Sequence, residues 1–255
     1  MTRGCLIDLD GTVWVDDELI PGSREAISRL RSGGVPFRFA TNTTRKPRSA
    51  IAAKLTRLGI EAGASDCITA PSAAAGWLRA RGARSISPLL AEASYEDLEE
   101  FELDHESPDY VLVGDLGTGW SFEVLDRAFR ALMAGAELVA IQRNRYWRHQ
   151  GRLTLDAGPF VAALEYASGR RAHLVGKPSR DFFVSAARDL GLEPVEVVMV
   201  GDDLEADIEG AAAAGLMSLA VRTGKLRPAD EERAAAAAGA VLDSLADLPG
   251  WIGLA

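Results

Sequence analysis

The run Cys5-Leu6-Ile7-Asp8-Leu9-Asp10-Gly11-Thr12 sets an apolar strand directly against two acids and a glycine turn. Side chains alternate along a strand, so Asp8 and Asp10 leave the same face two residues apart. Two carboxylates that close repel by about 4 kcal/mol at about 4 Å and an effective dielectric near 20, unless a cation sits between them. Gly11 permits a sharp turn at the strand end, and the Thr12 hydroxyl is expected to bond back and hold it. The pattern points to a magnesium site with a nucleophilic carboxylate. Taken alone, it also fits an Asp-rich surface turn.

Further along the chain, strand and helix signals alternate. Helices are expected over 22–32, 47–58 and 71–81. Strands are expected over 4–9 and 36–40, with a short one at Cys67-Ile68-Thr69. This alternation favours a doubly wound parallel sheet. The segment 90–108 is acidic and poorly periodic. It precedes a second block with a strand at Tyr110-Val111-Leu112-Val113, a helix over 121–134, a strand over 137–141, a polar, aromatic loop from Arg143 to His149, and a helix over 160–168. If Ser85-Ile86-Ser87-Pro88-Leu89 is a strand, its proline disfavours a central position. The first pattern resumes at Ala172, with Lys177 in a Gly-Lys-Pro turn, a helix over 179–190 and a strand over Val195–Val200 that ends in Gly201-Asp202-Asp203.

In an open parallel sheet, ligands bind beyond the carboxyl ends of the strands. Asp8/Asp10, Thr41/Asn42, Lys177 and Asp202/Asp203 are each expected at such an end. Gly117-Thr118-Gly119 lacks the third glycine of a dinucleotide loop and carries little weight.

The 255 residues are 47% hydrophobic and 25% charged, an ordinary globular composition with ample core. A formal net charge of −9 without a basic face argues against nucleic-acid or anionic-membrane partners. No leader pattern or spanning apolar run is found, and Cys5 and Cys67 read as two thiols in a reducing compartment. The expectation is a cytoplasmic protein.

The stretches Phe37-Arg38-Phe39-Ala40-Thr41-Asn42-Thr43-Thr44, Gly158-Pro159-Phe160-Val161-Ala162-Ala163-Leu164-Glu165-Tyr166-Ala167, Gly176-Lys177-Pro178 and Val200-Gly201-Asp202-Asp203 carry a resemblance. With the opening motif, the chain resembles the haloacid dehalogenase-like phosphohydrolases over nearly its full length. It is most similar to the NagD-like group, which has a cap inserted between the Thr and Lys motifs. Within that group it resembles the branch that includes phospholysine, phosphohistidine and inorganic-pyrophosphate phosphatases.

The resemblance implies an α/β fold: a Rossmann-like parallel-sheet core over 1–81 and 172–255, with an α/β cap over 82–171. It implies a Mg2+-dependent phosphatase that works through an aspartyl phosphate on a small phosphorylated metabolite, pyrophosphate or an N-phosphorylated compound. Asp8 would be the nucleophile and Asp10 the general acid–base. The Asp8 carboxylate, the Asp10 backbone carbonyl and Asp202 would hold the metal, with Asp207 in support. Thr41, Asn42 and Lys177 would hold phosphate, and Asp203 would cap the following helix or assist the metal. Arg145, with Tyr146, Trp147 and His149, could read the substrate from the cap or pack a dimer seam. The subgroup also implies a homodimer through the cap. Trp14 is expected to pack, with lining the entrance as its alternative. His105 and His173 receive no role.

Three alternatives stay open: a sugar-phosphate or nucleotide phosphatase of the same subgroup, a dehalogenase, and a non-catalytic binding protein. Intact Asp10 and Asp202 count against the dehalogenase.

Overall fold

The computed structural model describes residues 2–149 and 152–254, without the side chains of 147–149. The chain forms two compact units: 1–41, 48–68 and 177–255, and 42–47 with 69–176.

The first unit is built on a six-stranded sheet. In spatial order its strands are Ala240–Leu242, Met217–Val221, Val197–Gly201, Gly4–Ile7, Phe37–Thr41 and Cys67–Thr69. The strand Gly4–Ile7 pairs in parallel with Val197–Gly201 on one side and Phe37–Thr41 on the other. Alternation explains the layering. Cys5, Ile7, Phe39, Val198 and Val200 pack with Ala26, Ile27 and Leu30 of the helix Ser23–Ser32 and with Leu55 of the helix Arg48–Arg57. Residues of opposite parity, Leu6, Met199 and Ala220, are also fully or almost fully buried. Such near-continuous apolar strands are those of a parallel sheet covered on both faces.

The second unit carries a five-stranded sheet in the order His173–Leu174, Glu137–Ala140, Tyr110–Val113, Ser85–Leu89 and Glu102–Leu103. Its pairings are parallel. Ile86, Leu112 and Val139 pack with Ala74 and Leu78 of the helix Ala70–Arg79. Val111, Val113 and Leu138 pack with Ala128 and Leu132 of the helix Phe122–Ala134 and Val161 and Leu164 of the helix Ala157–Ser168.

Several local expectations change. The helix near 71–81 shares its apolar face with the second sheet rather than the first. The short strand before Lys177 also belongs to the second sheet. Ser85–Leu89 is an interior strand despite Pro88. Its odd-numbered residues bond toward Tyr110–Val113, as Leu89 does through its carbonyl to Gly114. Pro88 therefore turns its missing N–H toward the two-residue strand Glu102–Leu103, which pairs only as far as Ile86. The Pro88 carbonyl, beyond that partner, accepts a hydrogen bond from the Tyr95 hydroxyl. No ladder bond is lost, so the proline is tolerated.

The stretch expected as a loop after Arg143 contains an antiparallel pair, Tyr146–His149 with Arg152–Leu155. No described helix is long and apolar enough to cross a membrane. Cys5 and Cys67 are both buried and are not joined in a disulfide.

Candidate active site

Asp8 immediately follows the strand Gly4–Ile7, and its N–H donates to the Val200 carbonyl, which fixes the backbone at the sheet's carboxyl edge. One neighbouring strand ends at Thr41, and the other runs to Gly201 just before Asp202. The strands beside Gly4–Ile7 come from opposite halves of the chain, so Asp8 stands at the topological switch point where open α/β sheets bind ligands.

Lys177 is buried against Asp8. Its Nζ donates to Asp8 Oδ1 at 2.6 Å, to Asp207 Oδ1 at 2.6 Å and to the Ala40 carbonyl at 2.9 Å. Burial alone would disfavour its charge, but Asp207 and Asp8 outweigh that and hold its pKa above the usual lysine value. The reverse holds for the acids. Burial pushes Asp8 well above the ordinary carboxylate range, with Lys177 opposing and Asp207 and Asp202 adding repulsion. Asp207 is raised for the same first reason. Asp202 is pushed up to about 6 by burial and then by Asp207.

Asp8, Asp202 and Asp207 each offer a carboxylate oxygen within 4.8 Å of the others. Asp207 has both oxygens engaged, Oδ1 by Lys177 and Oδ2 by the Asp203 N–H at 3.1 Å. Asp202 differs. Oδ2 accepts the Lys225 N–H at 2.6 Å, whereas Oδ1 is buried without a hydrogen-bond partner among the described residues. A buried, unbonded carboxylate oxygen is costly. Hard oxygen donors with one lone acceptor fit a hard divalent cation.

Two glycines make room for that carboxylate. A Cβ on Gly11 would lie 2.2 Å from Asp202 Oδ2, and one on Gly224 would lie 1.9 Å from it. Gly11 also has φ +88°, which a side chain would strain. The turn after Asp8 closes through backbone groups: the N–H groups of Thr12, Val13 and Trp14 all donate to the Leu9 carbonyl. The Thr12 hydroxyl, expected to hold the turn, is buried without a hydrogen-bond partner among the described residues. Its backbone does that work instead.

Asp10 is exposed, and its Oδ1 accepts the Trp14 indole N–H at 2.8 Å. Asp203 caps the helical turn Leu204–Glu209 through the Ala206 N–H and pairs with Lys225 at 2.9 Å. Burial would raise its pKa, but Lys225 and the Ala206 N–H lower it overall.

Of the residues expected at the site, Asp8, Lys177, Asp202 and Asp207 therefore come together in one cluster, and Thr41 ends the adjoining strand. Asn42 opens the segment 42–47 that belongs to the second unit. Arg145 and Tyr146 are exposed in the second unit, and the side chains of Trp147 and His149 lie outside the described residues. Ser87 Oγ and His105 Nδ1 lie 2.8 Å apart, and His173 stacks on Trp77 with ring centroids 4.4 Å apart, both within the second unit. The expectations overlooked Lys225, Gly224 and the Ala40 carbonyl. The signal for the first two was the Gly224-Lys225 pair, which begins three residues beyond the apolar run Leu219-Ala220-Val221.

A lysine-paired buried aspartate beside a second, cation-ready aspartate at a parallel sheet's switch point is an arrangement suited to chemistry on anionic groups. Residues 5–104 match the family model described as haloacid dehalogenase-like hydrolase, and residues 174–248 match a second model of HAD-hydrolase-like proteins. Haloacid dehalogenase-like hydrolase domain-containing protein 2 of Homo sapiens is 37% identical over 231 residues, covering 91% of this chain and 88% of that protein. Phospholysine phosphohistidine inorganic pyrophosphate phosphatase of Bos taurus is 38% identical over 251 residues, covering 96% and 92%. Among solved structures, the 4-nitrophenylphosphatase of Thermotoga maritima aligns with a TM-score of 0.90 at 28% identity, covering 98% of this chain and 97% of that one. NagD of E. coli K-12 aligns with a TM-score of 0.89 at 25% identity, covering 97% and 98%. The chain belongs to the haloacid dehalogenase-like hydrolases, in their NagD-like subgroup.

Proposed function

We propose that the protein is a magnesium-dependent phosphatase that transfers the phosphoryl group of a small substrate to Asp8 and then to water. The observation that carries this reading is the buried Lys177 bridging Asp8 and Asp207 beside an Asp202 carboxylate with one unbonded oxygen.

An Asp8 carboxylate oxygen attacks phosphorus while the bond from phosphorus to the leaving oxygen breaks, giving an aspartyl phosphate. Asp10 gives a proton to the leaving oxygen and then takes one from the water that attacks the same phosphorus, which returns Asp8 and releases phosphate. Lys177, Thr41 and Asn42 hold the phosphoryl oxygens, with Lys177 supplying charge-assisted hydrogen bonds. The Asp8 carboxylate, the Asp10 backbone carbonyl and Asp202 would hold a Mg2+ ion, whose charge neutralises the phosphoryl oxygens. Asp207 supports that arrangement through Lys177.

The substrate class we assign is a small phosphorylated metabolite, pyrophosphate or an N-phosphorylated compound. The likeness to a phospholysine phosphohistidine inorganic pyrophosphate phosphatase supports it. The second unit serves as the cap, and Arg145 on its exposed hairpin is assigned to the substrate's leaving group. A homodimer through this unit is supported by Leu153 and Leu155, 63% and 61% exposed on one strand. A cytoplasmic location is supported by two buried thiols outside any disulfide.

The test is phosphate release from p-nitrophenyl phosphate, pyrophosphate, phosphohistidine, phospholysine, sugar phosphates and nucleotides, with and without magnesium, beside Asp8→Asn. Magnesium-dependent turnover that disappears in the variant is expected. Undiminished turnover by Asp8→Asn would end the aspartyl-phosphate reading, and silence on every substrate would return the chain to a binding role.

A further inference from the structure

Lys54 is a buried lysine with no part in the reaction described above. It lies on the inward face of the helix Arg48–Arg57, beside Ile51, Ala52 and Leu55, and is only 9% exposed. Burying an ammonium is costly unless specific partners receive it. Lys54 has three. Its Nζ donates to the Asp16 carbonyl, lies 3.4 Å from an Asp17 carboxylate oxygen, and sits 4.3 Å from the centre of the Trp14 ring. Trp14 is itself 1% exposed, and its only polar atom donates to Asp10 Oδ1 at 2.8 Å.

From these contacts we infer that Trp14 and Lys54 are positioning residues that aim the Asp10 carboxyl as general acid, an inference that rests on the phosphatase reading above. The indole N–H occupies Oδ1, so the transferable proton resides on Oδ2, and rotation that would exchange the two oxygens breaks the bond. As the phosphorus–oxygen bond of the substrate breaks, the Oδ2–H bond breaks with it and the proton passes to the leaving oxygen. Lys54 strengthens the arrangement twice. A cation over the indole face draws density from the ring and makes its N–H a better donor.

The lysine also pins the hairpin that presents Trp14. Trp14–Val15 and Glu18–Leu19 are two-residue strands, too short to hold themselves, and Asp16 at their turn has φ 51°, a conformation uncommon for a residue with a Cβ. Lys54 grips that turn through the Asp16 carbonyl. The Gly11 N–H to Trp14 carbonyl bond at 2.7 Å then ties the hairpin back to the residue after Asp10.

The experiment separates proton delivery from folding. Trp14→Phe keeps an aromatic ring and deletes the donor, whereas Lys54→Met keeps the stem and deletes the charge. For each, kcat/KM is measured across phosphate monoesters that the parent enzyme hydrolyses, from p-nitrophenyl phosphate, whose leaving group departs without a proton, to alkyl phosphates that need one. Melting curves track the folded fraction.

With Trp14→Phe, kcat/KM on the alkyl esters is expected to fall about tenfold further than on p-nitrophenyl phosphate, part of the 10²–10⁴ that acid catalysis supplies. A bias in the same direction is expected for Lys54→Met, and a larger one for Asp10→Asn. Equal losses on all esters in both positioning variants, with the bias present in Asp10→Asn, would overturn the inference and leave the phosphatase reading intact. Absence of the bias in Asp10→Asn would overturn the general-acid role itself, and this inference with it.

Discussion

Lys177 Nζ and Asp8 Oδ1 meet at 2.6 Å across 169 residues of sequence, in a place where neither is exposed. A buried pair is weak evidence of net stabilisation, but removing one member leaves the other buried alone. Lys177→Met strands two acids, Asp8 and Asp207. It should cost about 3–5 kcal/mol at neutral pH. The sign of the pH dependence follows from the raised pKa values of both acids. A group whose folded pKa is raised contributes stability at low pH and loses it as pH rises through the folded value. Without the lysine both acids rise further, so the deficit should shrink on acidification. Urea unfolding at pH 5.5 and pH 8 measures it, and equal deficits would contradict the pairing. Phosphate release should fall at least about a hundredfold.

If Asp202 holds magnesium as proposed, metal binding is linked to pH. Its folded pKa of about 6, raised by burial first, means that the metal-free protein loses this group's stabilisation as pH rises through about 6. A magnesium ion held there would need the ionised carboxylate and so would compete with that proton. One unit below the pKa only about a tenth of the sites are ionised, which weakens apparent binding about tenfold. The rise in melting temperature on adding magnesium should be clear at pH 7.5 and much smaller at pH 5. Equal shifts at the two pH values would remove Asp202 from the metal site.

Gly224 tests the same carboxylate by shape alone. Its φ lies outside the left-handed region, so alanine brings no backbone strain, yet the new Cβ would fall 1.9 Å from Asp202 Oδ2. Gly224→Ala should displace the carboxylate, abolish magnesium-induced stabilisation and lower turnover about a hundredfold while the protein stays folded. Calorimetric titration with magnesium reads the first effect directly. Parent-like magnesium binding would show that the loop simply yields.

Much of this was legible before the structure, for a physical reason. Parallel strands end on one edge, so Asp8, Thr41 and Asp202 had to come together once their apolar runs were recognised as neighbouring strands. Lys177 was found by its motif, although the strand before it pairs in the other sheet. Contacts that depend on packing rather than periodicity were hidden. Nothing in the sequence of the helix Arg48–Arg57 says that Lys54 turns inward toward Trp14, and a glycine's role at Gly224 depends on what approaches it. Pro88 misled because a strand has two sides, and its missing N–H faces the side on which the partner strand has already ended.

The hairpin of the second unit carries the remaining prediction. Leu153 and Leu155 share one face of the strand Arg152–Leu155, both more than half exposed, and Tyr146 pairs with Leu155 across the ladder at 55% exposure. Clustered exposed apolar side chains are characteristic of association surfaces. If the protein dimerises through this face, Leu153→Glu with Leu155→Glu places like charges and unmet desolvation in the seam, which costs several kcal/mol. Sedimentation velocity should then show a dimer for the parent and a monomer for the double variant, with unchanged melting of the first unit. A parent that sediments as a monomer at all concentrations would refute the seam. Arg145→Ala, tested beside it, should raise KM for the best natural substrate while leaving that for p-nitrophenyl phosphate within about twofold, as expected of a leaving-group contact rather than a phosphoryl one.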